Sequence, residues 1–408
     1  MGESPSVIFS NQSAFPCMIG YPTQHQMKKP GKGGRGPIRK HWLAVGICAV
    51  ALVPVSLIWI NRSHDRRLNP PSVTPSPADQ ERALRAEQLQ AAEKLAALFP
   101  DNDDAVYLLG LVHNEQGDSA GAMKHWERSL ELDASRTDAN DSLGYAFLLR
   151  DDYEKAEGYF RKALTLDPKL ATANFRLANA LVHQGKMREA VAILESANSL
   201  SAEGHRLLGE AYQHLKEYPK AKASYESALT ANTNLAEAYY GLSRVLAQSG
   251  EEDRSKECWT RFSALKSQTD QQARQIRTEY DSLAITKRSV AQTHTDVGRV
   301  YILNQRPKDA EQLWLQAAAL DAGNTLCRLQ LAIHYHQTEQ HAEALRYYQE
   351  VAHLDPDDAL VHLNIGRVSL KLNQVPQAEA AFKKVVELAP NRPEGHAALA
   401  QVQEMLRK

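Results

Sequence analysis

Along most of the chain a helical alternation of apolar and polar positions is overlaid by a much longer period. A small residue recurs as Gly110, Gly144, Ala178, Gly209, Ser243, Gly298, Ala332 and Gly366, at spacings of 34, 34, 31, 34, 55, 34 and 34 residues. A second small residue keeps the same spacings, as Ala122, Ala156, Ala190, Ala221, Ser255, Ala310, Ala344 and Ala378. Four positions further on stands a bulky side chain each time: Trp126, Phe160, Leu194, Tyr225, Trp259, Trp314, Tyr348 and Phe382. Small against large at this spacing lets two antiparallel helices approach closely while the bulky group fills the layer between units. The pattern predicts eight helix pairs, five over 103–269 and three over 291–392. The third, 171–201, is three residues short, which predicts a tighter loop after Ala197.

The stretches between and around the repeats read differently. Residues 1–41 are rich in Gly, Pro and Ser without helical periodicity and are expected to be disordered. Residues 42–60, WLAVGICAVALVPVSLIWI, carry no charge over 19 positions. As a helix at about 1.5 Å per residue they reach across a hydrocarbon core, and predict a transmembrane anchor. A proline-rich linker, 61–76, follows. Ser76, Pro77 and Asp79 read as a helix start, so 77–99 is expected to form a helix that caps the leading end of the array. Between Gly250 and Gly298 there is neither Gly nor Pro, and Phe262, Leu265, Ile276, Tyr280 and Leu283 keep a helical spacing, so 270–290 is expected to be a helical insertion that lengthens the second helix of the fifth repeat or forms a separate helix, dividing the array into two blocks. Residues 393–408 are expected to form the trailing cap, with Leu399 and Met405 apolar and Glu404, Arg407 and Lys408 facing water.

The second unit, 137–170, resembles the tetratricopeptide repeat through Leu143, Gly144, Phe147, Ala156, Phe160, Ala163 and Pro168, with Asn140 where that pattern usually has Trp. The resemblance implies an all-α solenoid of antiparallel helix pairs, here preceded by one transmembrane helix and a disordered N-terminus. It also implies a protein or peptide partner, held in a concave groove lined by first helices. The groove position just after the small residue reads Leu111, Tyr145, Asn179, Glu210, Arg244, Arg299, Ile333 and Arg367. Tyr145, Asn179, Glu210, Arg244, Arg299 and Arg367 are thereby the expected partner-binding residues, with Asp138 and Asp141 near the first block's share of the groove. The family's carboxylate clamp is not reproduced, although Asn179 with Arg176 resembles a fragment of it. Arginines in the later repeats suit forked hydrogen bonds to carboxylates, so an extended or helical segment with acidic residues toward one end is the expected occupant.

The formal charge of −1 hides an asymmetry. Lys28, Lys29, Lys32, Arg35, Arg39 and Lys40 precede the apolar run, leaving a mildly acidic body that lacks the basic footprint of a nucleic-acid binder. Three arginines (Arg62, Arg66, Arg67) follow the run, and the excess on its N-terminal side predicts that end in the cytoplasm and the repeats outside. Met27 followed by Lys28 and Lys29 resembles the start of a bacterial export signal and offers an alternative start to Met1.

Catalytic chemistry has little to rest on. Gly31, Gly33 and Gly36 spell a dinucleotide fingerprint, but no strand precedes them and Pro37 follows. Cys17, Cys48, Cys258 and Cys327 form no CxxC pair, and His334, Tyr335, His336 and His341 place histidines on different sides of a helix. No metal, cofactor or enzymatic activity is expected. Anchored tetratricopeptide proteins of this architecture resemble bacterial envelope factors for cytochrome c maturation, pilus assembly or chaperoning. The expectations are therefore a membrane-tethered interaction scaffold, an envelope assembly factor, or, third, an enzyme with an unrecognised site.

Overall fold

Each repeat folds as a pair of antiparallel helices whose turn is set by one backbone position. In the computed structural model, which describes residues 75–197, 200–279 and 282–407 (270–279 as backbone), every regular element is an α-helix. Helix α1 (Pro77–Leu98) precedes five pairs: α2 (Asp103–Glu115) with α3 (Ser119–Leu132), α4 (Thr137–Leu148) with α5 (Tyr153–Leu166), α6 (Ala171–His183) with α7 (Met187–Ser196), α8 (Ala202–His214) with α9 (Tyr218–Ala231), and α10 (Ala236–Gln248) with α11 (Glu252–Glu279). Three more pairs follow: α12 (Ser282–Leu303) with α13 (Pro307–Leu320), α14 (Thr325–Gln337) with α15 (His341–Leu354), and α16 (Ala359–Lys371) with α17 (Val375–Leu388), then α18 (Pro393–Arg407). The residue seven positions after each first-helix small residue turns the chain with positive φ: Gly117, Gly185 and Gly250, but Asp151, Lys216, Gln305, Glu339 and Asn373 in the other repeats. Side chains there cost some strain, and the repeated geometry holds them in place.

Helix starts follow the sequence. Ser76 accepts a hydrogen bond from the backbone of Asp79, Asn102 from Ala105, Asp118 from Gly121, and Asn324 from Cys327, each satisfying an otherwise orphaned donor. The small-to-large contact is also as the period implies. A Cβ built on Gly144 would stand 2.6 Å from Phe160, one on Gly298 2.4 Å from Trp314, and one on Gly366 2.3 Å from Phe382. An added side chain at these three positions would collide with the ring.

Four features differ from the sequence reading. The third repeat is short in helix α7, ten residues long against fourteen in α5, while the expected tighter loop after Ala197 falls partly outside the described residues. The 270–290 stretch is divided between a lengthened α11 (28 residues) and a lengthened α12 (22 residues). Helix α1 does not close a free end, because it packs on α2 on one side and on α12 on the other. In α18, Val402 is buried and Leu399 packs on the core, but Met405 is nearly half exposed. The predicted 1–41 segment, the anchor at 42–60, most of the linker and Met27 lie outside the described residues. Among the described residues no helix is long and apolar enough to cross a membrane.

The joint made by α1 and α12 is polar at its centre. Nε2 of buried Gln88 lies within hydrogen-bond distance of Glu115 (2.6 Å), Thr293 (2.8 Å) and Ser289 (3.0 Å), with two N–H groups to share among them, tying α1 to α2 and to a helix about two hundred residues away. Around this point Leu95 and Ala105 share one apolar core with Ala291, Val297 and Trp314. The α12 extension thus packs on the beginning of the first block rather than on its end, and among the described residues α11 packs mainly on α10, with Arg254 reaching Glu226 of α9 at 3.1 Å.

Candidate protein-binding face

First helices form the tighter layer of the array. Helix α4 touches α6, α6 touches α8, α8 touches α10, and α2 touches α12, whereas the second helices do not pack on one another to that extent. Their outward side is therefore the inner face of the solenoid, the surface such arrays offer to partners.

The expected groove residues divide along this face. Tyr145 is 40% exposed; Arg244, Arg299 and Arg367 are exposed; Asn179 and Glu210 are half-buried. Leu111 and Ile333 are partly buried and pack against the core. Arg244 lies over the Tyr240 ring, 5.8 Å from its centre, and has no carboxylate partner among the described residues. Arg367 likewise has none. Arg299 stands 3.8 Å from Asp296, whose carboxyl is buried and pushed above the usual carboxylate range by desolvation. Glu210 is held by Arg206 at 2.9 Å, and Arg206 also binds Glu203 at 2.7 Å, so one guanidinium is shared between two carboxylates.

The start of the face carries a ladder that the period alone does not reveal. Arg136 pairs with Asp103 and with Asp104 (2.7 Å) and lies 4.4 Å over the Tyr107 ring. Tyr107 shares a hydrogen bond with Ser142 at 3.2 Å. One repeat on, Arg176 pairs with Asp141 and stacks 4.5 Å over Tyr145. Burial raises the Asp141 carboxyl and Arg176 pulls it back only in part. Arg176, which with Asn179 resembles a fragment of the clamp that the sequence does not reproduce, is engaged by Asp141 and Tyr145. An aspartate four positions before a tyrosine on successive first helices, Asp103 with Tyr107 and Asp141 with Tyr145, is the signal that would have shown these rungs.

The histidines of α14 are spread over different contacts. His334 meets Trp314 edge-on and His336 meets Tyr348, with ring centres 6.4 and 6.2 Å apart. Cys327 is buried and Cys258 partly so, both as free thiols.

Antiparallel helix pairs stacked through small-to-large contacts, with first helices as the inner layer, define a helical-repeat solenoid. Family models described as tetratricopeptide repeat match residues 81–142, 147–208, 207–235 and 335–402, together more than half of the chain. The chain belongs to the tetratricopeptide repeat family. Among curated proteins it is 26% identical over 159 residues to a DnaJ homolog subfamily C member 7 homolog of Dictyostelium discoideum, covering 34% of this chain and 29% of that one. It is 30% identical over 136 residues to the Type IV pilus assembly protein PilF of Pseudomonas aeruginosa, covering 32% of this chain and 54% of that one. The chain thus spans at most about half the length of these two relatives. Among solved structures, MamA of Desulfovibrio magneticus RS-1 superposes with a TM-score of 0.39 at 19% identity, covering 41% of this chain and 97% of that one.

Proposed function

We propose that this chain is a protein-interaction scaffold whose first-helix face holds a partner segment with acidic residues toward one end. The observation that carries this reading is the row of exposed arginines in the later repeats, of which Arg244 and Arg367 have no carboxylate partner among the described residues. Unpaired guanidinium groups on an ordered surface are ready for forked bonds to carboxylates, whereas the first rungs, already paired internally, suit aromatic and apolar contacts. Changing Arg244, Arg299 and Arg367 together to alanine is expected to weaken capture of the partner, recovered by crosslinking and mass spectrometry, and to flatten its salt dependence, with the melt nearly unchanged. Undiminished capture would send the binding surface elsewhere.

The charge pattern around residues 42–60 supports a tether that holds the array on the outer side of a membrane. Protease treatment of intact cells should then remove a C-terminal tag, and a protected tag rejects the topology. A second reading, an envelope assembly factor, is favoured by the likeness to the pilus assembly protein over 136 residues. It differs only in which partner the same face engages.

A further inference from the structure

The bulky residue that ends each small-to-large contact is buried in seven of the eight repeats: Trp126, Phe160, Leu194, Tyr225, Trp314, Tyr348 and Phe382 are each 3% exposed or less. Trp259 is 51% exposed. Elsewhere the next first helix shares in covering this group, as Gly241 of α10 does for Tyr225 of α9, where an added Cβ would stand 2.3 Å from the ring. After α11 that helix is missing, because α12 is packed on α1. Only Leu265 is buried among the α11 side chains up to Thr269, against three to four buried residues in each of α3, α5, α9 and α13.

What is left open is an aromatic shelf. Tyr240 of α10 (40% exposed) meets Phe262 at 5.3 Å and Trp259 at 6.0 Å between ring centres, and Trp259 meets Phe262 at 5.4 Å. Trp259, Phe262 and Lys266 lie at i, i+3 and i+7 on one side of α11, so the cation flanks the rings. Arg244 extends the positive edge over Tyr240. Neither Lys266 nor Arg244 has a carboxylate within ion-pair distance among the described residues.

We propose that this shelf is a docking site for an amphipathic helix of a partner protein. That helix takes the place of a sixth first helix, setting small residues against Trp259 and Phe262 and carboxylates beside Lys266 and Arg244. The shape argument is the repeat's own, since a bulky second-helix residue in this array is completed by a small-residue helix surface. Charge selects the source. The chain's N-terminal 74 residues are rich in Lys and Arg and poor in Asp and Glu, and so do not complement a cationic edge. This site goes beyond the arginine row of the first-helix face: it lies at an end of a block and draws on second-helix residues.

The test uses the full chain and two synthetic, fluorescein-labelled amphipathic helices with the same Ala/Leu apolar side, one with Glu and the other with Lys at its polar positions. The Glu helix should bind, and the Lys helix should bind at least roughly tenfold more weakly. The double variant Trp259→Ala/Phe262→Ala should lose roughly tenfold or more in affinity for the Glu helix, with the helical circular dichroism and melt retained. Lys266→Glu, which touches neither the aromatic rings nor the arginine row, should reverse the preference between the two helices. Equal binding of both helices, or undiminished binding by the aromatic variant, overturns the proposal. Sedimentation provides a further check: self-association of the wild-type chain that the aromatic variant abolishes would mean that a second copy covers the shelf, which also overturns it.

Discussion

Trp259 and Trp314 occupy the same place in their repeats, yet one is half exposed and the other only 1% exposed. Both follow a second-helix small residue, Ser255 and Ala310, by four positions. The difference comes from the neighbours. Trp314 lies in a core shared by α12, α13 and α14 and donates from its indole nitrogen to the Thr295 carbonyl at 3.1 Å. Trp259 has α10 on one side and solvent on the other. A repeat sequence therefore specifies a surface able to be buried, and the succession of helices decides whether it is.

The largest expected effect sets these two residues against each other. Trp314→Ala removes a fully buried aromatic and its hydrogen bond, and should cost roughly 3–5 kcal/mol of stability. Trp259→Ala loses only partial contacts with Tyr240 and Phe262 and should cost at most about 1 kcal/mol. Urea or thermal denaturation of the two variants checks the contrast. Equal losses would mean that α11 is covered in solution.

The fold was legible because the small and bulky positions repeat with a period that no single residue carries, and the eight turns with positive φ fall in that same register. The α1 joint was not legible. Its centre is Gln88, Glu115, Ser289, Thr293 and His294, polar residues that an apolar pattern passes over, and its partners lie far apart in sequence. Of the face, the place after the small residue did not by itself fix exposure: Tyr145, Arg244, Arg299 and Arg367 are exposed, while Leu111, Asn179, Glu210 and Ile333 at the same place are partly buried. The capture of Arg176 by Asp141 and of Glu210 by Arg206 was not legible from that place either, because first-helix side chains one turn or one repeat apart compete with any ligand. The 55-residue spacing after Ser243 was the sequence signal for the open end, since it removes the next first helix from behind Trp259.

A smaller effect sharpens the comparison from the other side, at the joint that takes α12 away from α11. His294 of α12 is fully buried and neither ring nitrogen has a hydrogen-bond partner. Burial pushes its imidazole down to about 4, well below the ordinary histidine value. Glu87 of α1, 4.0 Å from Nε2, is about half exposed and too far for a hydrogen bond, so it does not offset the loss of solvation. His294 is therefore neutral in the folded chain at pH 7, while the unfolded chain takes up its proton near pH 6.5. Its contribution to stability is intact above that pH, is lost as pH falls through the window from 6.5 to 4, and amounts to roughly 3 kcal/mol. Asp296, two residues away and facing Gln292 and Arg299, works with the opposite sign: its raised carboxyl gains stability as pH falls. Comparing wild type with His294→Leu separates the two, because Asp296 is common to both. The wild type should lose stability relative to the variant by up to about 3 kcal/mol between pH 7 and pH 4 in urea titrations. Parallel pH profiles would show that water reaches His294 and that the joint is looser than its packing indicates.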